Sequence, residues 1–434
     1  MADVSGTDTD TARADTARAD TARADPDART SVRQALRGLR ANPDFRRMWI
    51  GEAVSDAGSS ISGLAFPLLV LAMTGSAVNA GTVATVGFVA SIVGQLPAGH
   101  LADVYNRRRL LVSADLVRAG LTAAVGVMAL SGWYSFGLIL AITVVSTIAW
   151  SLCGPAQVQV LRAVVDRTQL AEAAALTQGR SYALELGTPS LAGLLFALNR
   201  ALPFGLDALS FLGSAYCTAR ISTPLGPDRC TPRPRFALSF ARGWTTLWRT
   251  RFLRWSSLFS ATTNLTVTTL MFVVLFGGGT DDAVVAGLGV TVTFAAGAGL
   301  LGASLAPFVQ RRLKLHQVLA ASCGFRALAV APALLFDHQV VRAAALVLVV
   351  FTSPIAAAAM STARILHVPE DVLGRTTGAA GIVSTCTQPL GPLLAGILVE
   401  AVGAGQATAV IAGAFVVMTV GVLSAPSLRL RAHA

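Results

Sequence analysis

The sequence predicts an all-α polytopic membrane protein: twelve transmembrane helices in two pseudo-symmetric six-helix halves. Three observations carry that expectation. Of 434 residues, 53% are hydrophobic and 13% charged, with a mean hydropathy of +0.62, whereas about a quarter of a soluble domain is charged. The apolar residues are gathered into runs long enough to cross a bilayer. The chain also repeats itself, since Gly99, Arg108 and Arg109 recur 203 positions later as Gly302, Arg311 and Arg312. At the same offset Pro189-Ser-Leu-Ala-Gly193-Leu-Leu matches Pro392-Leu-Leu-Ala-Gly396-Ile-Leu, and Leu170 matches Leu373. An internal repeat of this size points to a carrier built from two related halves with its path at their interface.

The chain starts without the apolar core of a secretory signal, so the first membrane segment is expected to direct insertion. Residues 11–25 read TARAD three times. Alternating Asp and Arg without large apolar side chains cannot offset the entropy of ordering, so residues 1–44 are read as a cytosolic tail that is disordered at least as far as residue 30. With about 1.5 Å of rise per residue and a hydrocarbon core of about 30 Å, a crossing takes roughly 20 apolar residues. Twelve such segments lie near 46–73, 78–104, 109–131, 136–160, 172–198, 203–220, 253–277, 284–310, 316–336, 340–361, 376–401 and 406–425. They divide the chain into one half at 45–220 and another at 253–425, joined by a linker at 221–252 and followed by a short tail at 426–434. The Gly- and Pro-rich stretches at 187–193 and 388–396 would break a soluble helix and are tolerated in a membrane.

Charge orients this plan. The net charge is +11, but its arginines occupy short loops and form no continuous basic surface, which argues against a nucleic-acid partner. With both termini cytosolic, the inner segments hold 25 basic residues and the outer ones two, Arg200 and Arg342; this is a strong positive-inside pattern for a multi-pass protein of the cell membrane. In the linker, Trp244, Trp248 and Trp255 recur beside arginines, the pattern of an amphipathic helix lying on lipid headgroups. The five cysteines are scattered without metal-ligand spacing and read as small core residues, and no metal or other cofactor is expected.

Ionisable groups deep in a membrane segment are costly and mark function. Glu52 and Asp56 lie one turn apart on one face of the first segment, where two crowded carboxylates would share a proton. Pairing of Glu52 with Arg46 or Arg47 is the structural alternative. Glu185 lies near mid-membrane in the fifth segment, after Arg180 and Tyr182. Glu185, Asp56 and Glu52 are the candidate proton-coupling residues. Asn264 and Gln388 are candidates for a substrate cavity, although such amides also hold membrane helices together. Phe66, Phe88, Phe272 and Phe294 would make that cavity apolar. Asp115 and Arg118, one turn apart, form a candidate structural pair; Arg326 repeats the arginine, while Cys323 replaces the aspartate.

The most specific motif is Gly99-His-Leu-Ala-Asp103-Val-Tyr-Asn-Arg107-Arg108-Arg109, between the second and third segments. It resembles the signature loop of the major facilitator superfamily. Its echo at 302–312 has Ala306 where Asp103 stands. Ser55 and Gly58, Asp115-Leu-Val-Arg118, Asp207-Ala-Leu-Ser-Phe211, Phe252-Leu-Arg254 and Val368-Pro-Glu-Asp-Val-Leu-Gly-Arg375 are similar to the efflux and secretion-effector branch. The exporter signature of the fifth segment, a Gly-Pro pair followed by Gly-Gly, is replaced here by Thr188-Pro189 and Ala192-Gly193. Asp103 can pair with Arg107 to Arg109 or face the positive end of a neighbouring helix. The resemblance implies that this neighbour is the eleventh segment and that Gly99, Asp103, Arg107, Arg108 and Arg109 form a conformational-switch loop. It further implies a monomeric secondary exporter of small amphipathic molecules, coupled to protons and working by alternating access. An importer of the same fold and a transport-dead scaffold or sensor are the alternatives. An enzyme is not expected: the chain holds no GxxxxGK[ST], HExxH or GxSxG motif, and its five histidines are dispersed.

Overall fold

The computed structural model describes residues 38–39, 41–226, 244–245, 247–279, 281–367 and 379–424. The TARAD tail, residues 227–243 of the linker, Val368 to Arg375, and the tail beyond residue 425 lie outside the described residues. The long helices are α1 (Pro43–Thr74), α2 (Ala77–Val104), α3 (Arg107–Ser131), α4 (Phe136–Val164), α5 (Leu170–Leu198) and α6 (Leu202–Ala219). They continue with α7 (Arg251–Phe276), α8 (Asp282–Arg312), α9 (Leu315–Val330), α10 (Gln339–His367) and α11 (Leu390–Ser424). Helical turns at Pro332–Leu335 and 379–386 precede α10 and α11. α11 breaks at Gly403, whose φ of 79° and ψ of 163° divide it into two arms, so each of the twelve apolar segments falls on helix.

Among the described residues, nine helices are long and apolar enough to cross a membrane, with 379–424 taken as one continuous stretch. α5 and α6 fall outside that set. α5 carries Glu172, Arg180 and Glu185, and α6, of 18 residues, carries Asp207. The membrane setting shows in the polar side chains of the helices. Thr82, Thr143, Ser151, Thr266 and Thr408 each turn a hydroxyl back to the carbonyl four residues earlier, leaving none of these donors bare in an apolar setting.

Helix ends follow local rules. Asn42 caps α1, Ser76 caps α2 and Asn106 caps α3 through side-chain oxygens. Because helices alternate in direction, the loops at 104–107, 165–170, 220–226 and 312–315 share one face, called here the basic face. The turns at 75–76, 131–135, 199–201, 277–281 and 336–338 share the opposite face. Arg342, one of two basic residues near the opposite face, is tied down there: it is paired with Asp337 and donates to the Gly277 carbonyl.

The two halves meet along two seams, α2 with α11 and α5 with α8. At the first, a Cβ added to Gly81 would stand 2.3 Å from the Pro392 carbonyl oxygen, and one added to Gly396 would stand 2.4 Å from that of Ala77. At the second, Gly289 faces the Pro189 carbonyl at 2.3 Å and Gly193 faces that of Val285 at 2.8 Å. The repeated Pro-x-x-Ala-Gly segments are thus one surface used twice. Hydrogen bonds cross the same seams: Thr85 Oγ1 donates to Pro389 O at 2.6 Å, and Ser190 Oγ to Thr293 Oγ1 at 2.7 Å. The Glu400 carboxylate accepts from Ser76 Oγ at 2.6 Å and from Val78 N at 2.9 Å, placing a negative charge on the α2 N-terminus from the other half.

These contacts lie toward the opposite face. One apolar cluster there draws on both halves, including Leu68, Val83, Phe196, Phe204, Val273, Leu288, Ala395 and Phe415. Toward the basic face the cores are separate, one built on Phe45, Leu111, Val160 and Ile221 and others on Leu319, Met360 and Val318. Among the described residues the halves therefore share a core at one end and have separate cores at the other.

Replacing Gly81 with Leu is expected to push α2 off Pro392, at a cost of about 1–3 kcal/mol by analogy with overpacked cores. Gly413→Ala, where an added Cβ meets nothing within 4 Å, is the control. A lowered unfolding midpoint in detergent for the first variant alone is the expected result.

Candidate functional site

Between the halves lies a cavity of about 850 Å³, the size of a site for one drug-sized molecule. Most of its wall comes from the first half. The second half contributes Thr268, Met271 and Phe272 of α7, with Gln388 from the turn before α11. Phe66, Phe88, Trp150, Phe204 and Phe211 give it an aromatic lining, interrupted by Asp56, Arg118, Glu185 and Asp207.

The charges behind this wall form a connected set in the first half. Arg180 of α5 reaches across to α1, with Nη1 3.1 Å from Glu52 Oε2 and Nη2 2.9 Å from Asp56 Oδ2. It also donates to the Trp49 carbonyl at 3.1 Å and lies 5.8 Å from the Trp49 ring centre. One guanidinium thus bridges the two acids that the sequence places a turn apart. Glu52 does not use Arg46 or Arg47. Arg47 pairs with Asp44, whose carboxylate accepts from Ser222 and Thr223 and so fastens the chain after α6 to the start of α1.

Arg118 stands 3.8 Å from Asp115, donates to Ser59 Oγ at 2.9 Å and stacks 3.9 Å over Phe211. Asp207 is 2% exposed and accepts from Ser62 Oγ at 2.5 Å and Ser210 Oγ at 3.2 Å. Its recess exists because residue 58 is glycine: a Cβ there would sit 2.6 Å from Asp207 Oδ1 and 2.1 Å from Ser210 Oγ. Among the described residues the second half shows no such set. Arg326 is fully buried on α9, donating to Thr352 at 2.8 Å and Ser353 at 3.2 Å, with the Phe415 ring 5.8 Å away.

At the basic face, Gln159 of α4 joins the two signs of the loop motif. Its Nε2 donates to Asp103 Oδ1 at 2.7 Å, and its Oε1 accepts from Arg107 Nε at 2.5 Å. Arg107 N and Arg108 Nη2 donate to the carbonyls of Leu225 and Thr223, while Arg109 is exposed. Gly99 lies in the last turns of α2. The start of the eleventh segment near Thr376, expected to face Asp103, lies outside the described residues. The echo glycine has its own reason, because a Cβ on Gly302 would be 1.9 Å from the Phe351 carbonyl where α8 crosses α10.

Glu185 and Gln388 line the cavity, and Glu185 makes no ion pair among the described residues. Asn264 is not in the wall; its Nδ2 donates to the Ser384 carbonyl at 3.0 Å and ties α7 to the turn before α11. Phe294 is 65% exposed on the outer side of α8. Sequence reasoning missed Arg180 as the partner of two acids on another helix, Gln159 as the bridge, and Asp207 as a buried carboxylate in the wall. An isolated acid in an 18-residue membrane helix was the signal available for Asp207. Among the described residues no group of His, Cys, Asp and Glu could hold a metal ion.

Arg180→Met would leave Glu52 buried without its cation, and breaking such a pair costs about 3–5 kcal/mol. A marked fall in the unfolding midpoint is expected, with partial recovery in Arg180→Met/Glu52→Leu.

The Major Facilitator Superfamily model matches residues 48–392. The multidrug efflux pump Tap of Mycobacterium tuberculosis is 27% identical over 393 residues, spanning 85% of this chain and 90% of that protein. Macrolide efflux protein A of Streptococcus pyogenes is 24% identical over 188 residues, 43% of this chain, so the match spans just under half (46%) of that relative. Among solved structures, a bacterial homologue of the iron transporter ferroportin in an inward-facing state superposes with a TM-score of 0.67 at 15% identity, covering 87% of this chain and 97% of that one. The nucleoside transporter NupG superposes at 0.69 with 13% identity, covering 88% and 99%. With its all-helical two-half fold and a family match over most of its length, the chain belongs to the Major Facilitator Superfamily.

Proposed function

We propose that this transporter exports small amphipathic organic molecules from the cytosol across the cell membrane, in exchange for protons, by alternating access as a monomer. The observation that carries the reading is the cavity: an aromatic chamber between two halves joined at one end, with the Glu185 carboxylate in its wall free of any ion pair among the described residues. Aromatic surface takes up the apolar body of a cargo, and a carboxylate in a low-dielectric wall favours a cationic one. The efflux functions named for the two relatives support the same direction.

The basic face is assigned to the cytosol, because Arg107 to Arg109, Arg162, Arg167, Arg220, Arg311, Arg312 and Lys314 gather there, against Arg200 and Arg342 near the opposite face. On that assignment the seams close the outer side and the cavity faces inward. The loop from Gly99 to Arg109 keeps the inner ends of α2, α3 and α4 together through Gln159, so that the half can move as one body. In this reading Asp56 and Glu52, held by Arg180, are structural charges and Glu185 is the cargo's counter-ion. Gln388 offers a hydrogen bond from the second half.

In proteoliposomes with a trapped pH dye, addition of a panel of lipophilic cations and neutral isosteres should release protons with at least one cation. A panel without any pH response overturns proton antiport. Glu185→Gln is expected to weaken apparent affinity for the cation about tenfold, equivalent to about 1.4 kcal/mol, and to leave a neutral isostere unaffected; equal loss for both would remove Glu185 as counter-ion.

A further inference from the structure

The carboxylates at or behind the cavity wall are not equivalent. Asp56 and Glu52 are clamped by the Arg180 guanidinium. Asp115 lies behind the wall, in contact with Arg118 and Ser214. Glu185 is exposed in the cavity. Asp207 differs from all of them: it borders the cavity, is 2% exposed, and forms no salt bridge within 4 Å among the described residues. Its partners are hydroxyls.

A hydroxyl can serve both protonation states of a carboxyl group, because it donates to the anion and accepts from the acid. Ser62 is placed to do so. Its Oγ donates to Asp207 Oδ2 at 2.5 Å, and the Ser59 carbonyl stands 3.4 Å from the same Oγ as an alternative acceptor. When a proton arrives at Oδ2, the new O–H donates to Ser62 Oγ, whose own hydrogen turns to Ser59 O, and no group is left bare. Ser59 continues the chain, since its Oγ accepts from Arg118 Nη2 and donates to Ser55 O. The charges that act on this point are Arg118 and Asp115 of α3; Asp56 of α1 and Glu185 of α5 line the same cavity, and Glu52 and Arg180 adjoin Asp56. Arg118 is the nearest cation of the set, stacked on Phe211 one turn after Asp207.

We propose that Asp207 is the site that carries the coupling proton, with Ser62 as its hydrogen-bond switch and Gly58 as the gap that admits it. The assignment rests on the proton-coupled reading above. Cargo entering beside Phe211 would displace the proton, because a cation stabilises the carboxylate against the acid, and the proton leaves through the cavity.

The test is infrared difference spectroscopy of the purified full-length protein during a pH titration, read at the carbonyl stretch of a protonated carboxyl. The wild type should show this band; Asp207→Asn should abolish it, and Glu185→Gln and Asp56→Asn should keep it. Ser62→Ala should move it to higher frequency, as a carboxylic acid loses its hydrogen-bond partner. In liposomes Asp207→Asn should lower proton release by tenfold or more. An unchanged band or unchanged release in Asp207→Asn overturns the assignment. Loss of proton coupling as such would appear in wild-type liposomes, with no variant involved, so the two failures are distinguishable.

Discussion

The arrangement of this protein depends on two places where backbones of opposite halves come within van der Waals distance. Lipid tails are as apolar as leucine, so helices in a membrane gain little from hiding apolar side chains from lipid and associate instead through close packing and interhelical hydrogen bonds. Gly81 against Pro392 and Gly289 against Pro189 supply that packing, and Thr85, Ser190 and Glu400 add the hydrogen bonds. Both seams lie toward the same face. A chamber that opens at one end follows directly, since beyond the seams each half has a core of its own.

The halves share a backbone plan but not a chemistry. The first half holds Glu52, Asp56, Asp115, Asp207, Arg118 and Arg180 in or beside the cavity wall. At the place of Asp115 and Arg118 the second half has Cys323 and Arg326, with Arg326 donating to two hydroxyls. Duplication keeps what packing requires, so Gly193 and Gly396 persist, each close against a carbonyl of the opposite half. Charge is expensive in a membrane and is free to be lost from one copy. The cavity therefore borrows its apolar surface from both halves and its ionisable groups from one.

Much of this was legible in the sequence because it is written in local patterns. Apolar run length placed every helix, and the repeated Pro-x-x-Ala-Gly segment pointed to a paired element, although its role as a seam needed the partner helices. Pairings between distant helices were not legible. Glu52 and Asp56 are visible as neighbours one turn apart, but Arg180 arrives from 124 positions beyond Asp56, and nothing in the first segment announces it. Asp103 and Arg107 look like partners for each other, and nothing near them announces that Gln159 of another helix serves both. Asn264 and Gln388 look alike in sequence; helix rotation alone sends one into a helix junction and the other to the cavity.

α2 shows how these features could act together. It is 28 residues long, about 42 Å at 1.5 Å per residue. At one end its N-terminus receives the Glu400 carboxylate from the other half. At the other, Asp103 accepts a hydrogen bond from Gln159 of α4. A rigid rod pivoting at the level of the cavity cannot keep both ends against the opposite half. In the alternating-access mechanism proposed above, contacts across the opposite face and contacts across the basic face would exclude one another, and a population shift between them would need a few kcal/mol of differential interaction. The seam glycines make the closed end tight enough for that choice to be discrete rather than gradual, since close-packed backbone either touches or parts.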